Sequence, residues 1–308
     1  MGLFISLPMI QRFCLALLFL VVNCAYSQNS FNREELIHDL KILSADSLEG
    51  RKTGLEGNRK ARAYIISKLK KIGIQPLLSD DFVQSFTIPQ TFGMVGNGNG
   101  ANILAVIEGK KNSTIVISAH YDHVGVIRNV IYNGADDNAS GVSALLAIAE
   151  YFFKNPPSHR MIIAFFDAEE IGLKGSAHFV NTVDVKNENI VFNLNMDMIS
   201  RSDKNELYAC GSFYHPELKT HLNNLSLPHN IKLLFGHDVP STGRNDWTNQ
   251  SDQRNFHAKN IPFLYFGVED HADYHKPTDM FEKIDLDFFS SSTETILRAI
   301  KALDRSLQ

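Results

Sequence analysis

Apolar positions along the chain recur at two different periods, and the way those periods alternate predicts the elements. Leu36, Leu40 and Leu43 follow Asn32 at helical spacing, and Asn32 with Glu35 three residues later forms a capping-box pattern, which predicts an opening amphipathic helix. Ala61, Tyr64, Ile65, Leu69 and Ile72 mark one face of a second helix that stops at Gly73. From Asp81 the pattern shortens to strands, over 82–88, over 102–107 beyond a Gly/Asn-rich turn at 93–100, and over 114–119, where the apolar run is continuous as in a buried central strand. A helix over 142–153 closed by Pro156-Pro157, a strand over 161–166, a helix around 174–181 and a strand over 190–196 come next. Strands near 207–210 and 261–266 flank a stretch of weaker periodicity, and 286–307 is a final amphipathic helix. Alternation of strands and helices through short connections predicts a single α/β domain with a mostly parallel or mixed central sheet, covered by helices on both faces.

Polar exceptions gather at the ends of these strands, where ligands bind in open α/β sheets. His120 and Asp122 follow one strand, Glu169 and Glu170 another, Asp197 a third, and His275 the last by a loop. Between them, Gly134-Ala-Asp-Asp-Asn-Ala-Ser-Gly141 sets two adjacent carboxylates among small residues. Most of these have an ordinary explanation when taken alone: a solvated turn before a helix cap for Asp136-Asp137, acids decorating a helix start for Glu169-Glu170, a satisfied loop histidine for His120, a surface histidine for His275. Asp197 is different, because a carboxylate at an apolar strand end needs a partner or a cation. Neighbouring Glu169 and Glu170 point in different directions, so one can bind metal while the other addresses the reacting water. Asp122 is placed to accept the other ring N–H of His120, and His123 is a minor rival ligand. His, Asp, Glu, Asp and His form an N/O donor set suited to zinc or similar divalent ions, too few for two closed sites unless one carboxylate is shared.

Composition narrows the picture further. The 308 residues suffice for a large core, and no repeat or Pro/Ser-rich linker divides the chain, so 28–308 reads as one catalytic domain. A formal net charge of -4 without any Lys/Arg block excludes a nucleic-acid surface and leaves peptides or small molecules as partners. Arg12 precedes an apolar run over 13–22, too short to span a bilayer comfortably, and Ala25 and Ser27 offer small residues before Gln28. That pattern predicts a signal peptide over 1–27 and an exported protein, periplasmic or extracellular, with no transmembrane segment in the mature chain; Met9 is an alternative start, and acylation at Cys24 an alternative lipid anchor. Cys14 and Cys24 would leave with the signal, so Cys210, expected as a buried strand residue, would be a single thiol with no internal disulfide.

Five motifs, in order, resemble those of the secreted co-catalytic zinc aminopeptidases: HYDHVG at 120–125, GADDNASG at 134–141, FFDAEEIGLKGS at 165–176, NMDMI at 195–199 and DYHKPTD at 273–279. A looser likeness extends from LEGRKTG at 48–54 to the final helix. Relatives of that family include glutamate carboxypeptidase-type enzymes, the catalytically dead transferrin-receptor ectodomain and the glutaminyl cyclases. The resemblance implies an aminopeptidase with two zinc ions, His120 and Asp197 holding one, Glu170 and His275 the other, and Asp137 bridging both. It implies a water bridging the two ions with Glu169 as general base, Asp122 as the partner of His120, and Tyr274 as a hydrogen-bond donor to the tetrahedral intermediate. The rival readings are a one-zinc glutaminyl cyclase, a non-catalytic binding ectodomain, which would have lost ligands that are all present here, and carboxypeptidase-type specificity. For the last, Arg244 and Arg254 are either carboxylate binders or surface residues. The substrate pocket wall is expected from 207–260.

Overall fold

The computed structural model describes residues 30–78, 81–89, 98–183 and 187–307. The expected signal segment, with Cys14 and Cys24, and most of the Gly/Asn-rich turn lie outside the described residues.

Helix α1 (Arg33–Leu43) starts where Asn32 Oδ1 accepts the amide N–H groups of Glu34 and Glu35 at 3.0 and 3.2 Å. The Glu35 carboxylate pairs with Lys68 of α2 (Glu56–Ile72), which also holds Asp39 at 2.8 Å, so the polar edge of the two-helix contact is charged. Gly73 ends α2 in the left-handed region at φ 100°, the stop its position predicts. Strands β1 (Gln75–Pro76) and β2 (Val83–Thr87) both pair antiparallel with β3 (Asn99–Ile107), and β4 (Lys111–His120) follows. A separate hairpin joins β5 (Gly125–Ile127) to β6 (Val130–Tyr132). The chain continues through α3 (Gly141–Lys154), β7 (His159–Phe166), α4 (Lys174–Thr182), β8 (Ile190–Met196), β9 (Glu206–Cys210), α5 (Glu217–Leu222), β10 (Lys232–Phe235), α6 (Gln253–His257), β11 (Phe263–Gly267) and α7 (Leu286–Ser306).

One mixed sheet runs in the order β1-β3-β7-β4-β8-β11-β9-β10, with β2 also on β3. Its centre, β7-β4-β8-β11, is parallel; β3 against β7 and β9 against β11 are antiparallel. Continuous apolar runs form these central strands because both faces are covered. Ile115, Ile117 and Ala119 of β4 pack with Leu145 and Ile148 of α3 and Ile296 of α7, whereas Val116 points the other way, into a cluster with Phe179 of α4 and Phe256 of α6. The expected helices on both faces and mixed sheet are therefore present. Cys210 is a free buried thiol in β9, raised by burial.

The placement of the site follows from β4. Its neighbours are β7, reached through α3, and β8, reached from β7 through α4. The chain thus leaves β4 to one side and returns on the other, and the crevice at the carboxyl end of β4 is the switch point where ligands bind in such sheets.

Candidate metal centre

The loops that meet at this crevice are fixed from behind by one buried cation. Arg51, 1% exposed, donates to the carbonyls of Leu43, Tyr121, Asn133 and Gly134 at 2.5–2.9 Å, tying the β4 exit to the Gly134 turn. Burial pulls its guanidinium down to about 10 against the opposing carboxylates of Asp137 and Asp279. Gly134 itself has φ 56°, and a Cβ there would lie 2.0 Å from the Asp137 carbonyl oxygen and 2.5 Å from the His123 ring. Only glycine fits this close approach. Beyond it, Asn138 Nδ2 donates to Met196 O at 2.9 Å while its Oδ1 accepts from Gly141 N at 3.0 Å, stapling the turn to the end of β8 as α3 begins.

Every expected ligand reaches one place. His120 Nε2 lies 3.1 Å from Asp197 Oδ1 and 3.5 Å from Asp137 Oδ1. On the other side, His275 Nε2 lies 3.0 Å from Asp137 Oδ2 and 3.3 Å from Glu170 Oε2. The two oxygens of Asp137 therefore face different histidines. Asp136 is buried too, but its carboxylate accepts the Ser200 amide and hydroxyl at 2.7 and 2.6 Å and sits 3.1 Å from His271 Nε2. Glu169 joins His120 and Asp197 in one group of potential ligand atoms mutually within 4.8 Å, and His123, Asp137 and Glu170 form a second. Tyr274 lines the same cavity, about 280 Å³ in volume, with Glu169, Asp197 and His275, and its ring stacks on that of His275 with centroids 4.0 Å apart.

Asp122 holds the site differently from its expected part. His120 Nδ1 lies 3.2 Å from the Asp122 main-chain oxygen and 3.7 Å from its carboxylate. That carboxylate instead accepts the amides of Glu169 and Glu170 at 3.0 and 3.3 Å, orienting both glutamates. Asp279 does the same for the turn after Gly134, accepting the amides of Asp136 and Asp137 at 3.1 Å; its carboxyl is pushed up to about 6, first by burial and then by Asp136. Arg51 and Asp279 end or interrupt the motifs LEGRKTG and DYHKPTD, yet nothing in local spacing marks them as supports, because their partners lie 82 and 142 residues away. His123, the minor rival ligand of the sequence reading, is buried against Glu170, with Nδ1 2.7 Å from Oε1.

Charges in this cavity call for a cation. Burial raises Glu169 well above the usual carboxylate range, opposed by His120 and reinforced by Asp197. Burial also works to raise Glu170, but the imidazoles of His123 and His275 outweigh it and hold this carboxyl low. His275 is raised to about 10, first by its contact with Asp137. Both ring nitrogens of His123 and Glu170 Oε1 are buried without hydrogen-bond partners. Orphaned polar atoms among converging carboxylates are what a site for a divalent ion leaves when described by protein atoms alone, and imidazole with carboxylate suits zinc.

The sequence profile of peptidase family M28 matches residues 102–300, more than half of the chain and the whole span from His120 to His275. The chain belongs to peptidase family M28. Aminopeptidase YwaD of Bacillus subtilis is 28% identical over 168 residues, which cover 53% of this chain and 33% of that protein. A vacuolar membrane protease of Schizosaccharomyces pombe is 32% identical over 144 residues, 44% of this chain and 16% of that protein. This M28 chain thus matches a third or less of the length of these relatives. Among solved structures, a zinc aminopeptidase from Bacillus subtilis superimposes with a TM-score of 0.68 at 18% identity, covering 88% of this chain and 94% of that one. Bacteroides thetaiotaomicron glutaminyl cyclase gives a TM-score of 0.69 at 18% identity, covering 88% and 98%. These two share the fold.

The expected location is overturned by the same comparisons. Several M28 relatives are fungal vacuolar membrane proteases, named for an internal membrane rather than for export. A short apolar run behind one arginine reads as entry to a membrane-insertion route; it does not encode the final compartment. No helix among the described residues is long and apolar enough to cross a membrane.

Proposed function

We propose that this M28 chain is a zinc-dependent aminopeptidase working with two ions, and that the cavity at the end of β4 is its active site. One observation carries the reading: Asp137 divides its two oxygens between the His120–Asp197 side and the Glu170–His275 side. In this reading His120 and Asp197 hold one ion, Glu170 and His275 the other, and Asp137 both. Zinc pairs of this kind supply an activated water and polarise the scissile carbonyl. The chain supplies the rest. Glu169 takes a proton from the attacking water and returns it to the leaving amine, a task suited to a carboxyl that burial raises. Asp122, through its grip on the Glu169 and Glu170 amides, keeps the two side chains apart. Tyr274 is the candidate donor to the developing oxyanion from the cavity wall.

Two rivals are separable. Glutaminyl cyclases share the fold, but the second cluster around Glu170 favours a two-ion hydrolase. Carboxypeptidase action would need a cation at the substrate terminus; Arg254 does line the cavity, exposed, whereas the relationship to YwaD favours removal of N-terminal residues. The test pairs Glu169→Gln with Asp137→Asn on a panel of aminoacyl amides and N-blocked, C-terminally free dipeptides, with metal analysis. Glu169→Gln should keep its zinc and lose aminoacyl amide hydrolysis by about 10²- to 10⁴-fold. Asp137→Asn should lose zinc. Full activity in a clean Glu169→Gln preparation removes that assignment, and preference for the blocked dipeptides makes the chain a carboxypeptidase.

A further inference from the structure

We infer that His123 is a ligand of the second metal ion, held together with Asp137, Glu170 and His275, so that this ion takes two imidazoles rather than one. The inference rests on the two-ion reading of the site and concerns a residue outside the set that the resemblance supplies.

Three observations converge on it. His123 is 1% exposed, and neither of its ring nitrogens has a hydrogen-bond partner. A histidine kept for packing alone would satisfy at least one of them. Its Nδ1 nevertheless lies 2.7 Å from Glu170 Oε1 and 3.7 Å from Asp137 Oδ2, and Glu170 Oε1 is itself buried without a hydrogen bond. The short contact is an ion pair rather than a hydrogen bond, so two buried atoms capable of ligating a metal face one another across a position that a shared cation satisfies. Potential ligand atoms of His123, Asp137 and Glu170 all fall within 4.8 Å of each other, a spacing that permits one ion to reach all three.

The ring is also held where a ligand must be held. Its backbone amide donates to Arg51 O at 3.4 Å, and the ring lies against Gly134, where a Cβ would come within 2.6 Å of its Cγ. His275 approaches the same carboxylate pair from the solvent side, with 42% of its side chain accessible and its ring centroid 5.9 Å from that of His123. The second ion would thus have an inner imidazole fixed by the fold and an outer one on an exposed loop.

The test uses the full chain, stripped with a chelator and reloaded with zinc in steps, with affinities from competition against a chromophoric chelator. Wild type should take two ions. His123→Ala and His123→Asn should keep the first ion at wild-type affinity and bind the second at least about 100-fold more weakly, more than the loss usual for a group that only orients a ligand. Far-UV circular dichroism of the stripped variants should match stripped wild type. Independently of any variant, cobalt-loaded wild type should show hyperfine-shifted ring N–H resonances from three histidines, His120, His123 and His275. Two such resonances, or a variant that binds its second ion as wild type does, overturns the role of His123 and leaves the two-ion reading standing. A wild type that takes a single ion overturns both.

Discussion

At the scale of residues, the site depends on side chains that touch no substrate. Gly134 is the sharpest case, since its φ of 56° and its contacts with the Asp137 carbonyl and the His123 ring leave no room for a methyl group. Gly134→Ala is expected to cost about 1–3 kcal/mol from the strained conformation alone and to lower zinc content. A thermal melt together with metal analysis checks both, and a variant with wild-type Tm and wild-type zinc contradicts the packing argument. Arg51→Met should behave similarly, because four buried carbonyls lose their donor, with the larger loss in stability. Asp137 shows what was legible here and what was not. Alone, the Asp-Asp pair among small residues reads as a solvated turn; the resemblance picked its second member as the shared ligand, and both are buried. What separates them is Asp136's commitment to Ser200 and His271, 64 and 135 residues away, which no local spacing reveals. Asp122 was legible as a support, yet its carboxylate serves the two glutamate amides more directly than the His120 ring.

Among elements, period and length decided legibility. The strands over 114–119, 161–166 and 190–196 and the helices over 142–153 and 286–307 all lie within a residue or a few of β4, β7, β8, α3 and α7, because each spans several periods of its own pattern. The β5–β6 hairpin, β10, α5 and α6 were not legible: each has three to six residues, too few to establish a period. The same shortness explains why the stretch over 207–260 read poorly. A further prediction belongs to the α1–α2 contact. Glu35 is held below its ordinary value by its hydrogen bond to Lys68, so its folded pKa is depressed. The stability it contributes is present above the ordinary glutamate pKa and lost as pH falls through the folded value. Asp39 works in the opposite sense, raised by burial. Because Glu35 keeps 36% of its side chain exposed, the effect should be at most about 0.5 kcal/mol. Glu35→Gln should lower the Tm slightly at pH 7 and by progressively less as the pH falls through the acid range; a difference that does not shrink with falling pH sinks the linkage.

For the whole molecule, the parallel strands of one sheet deliver chemistry to a single edge. His120 ends β4, and Asp197 and the Glu169-Glu170 pair follow β8 and β7, its two neighbours, which is why polar residues at the ends of apolar runs were informative in the sequence. Location was not legible in this way, since it depends on an N-terminal segment whose reading does not fix a compartment, and the vacuolar membrane proteases among the relatives correct it. We propose that two zinc ions, joined through Asp137, make this M28 chain an aminopeptidase. The most direct test follows aminoacyl amide hydrolysis by the stripped full chain as zinc is added stepwise. Activity should rise to a plateau at two zinc ions per chain. A plateau at one zinc ion per chain, or no hydrolysis at any loading, contradicts the claim.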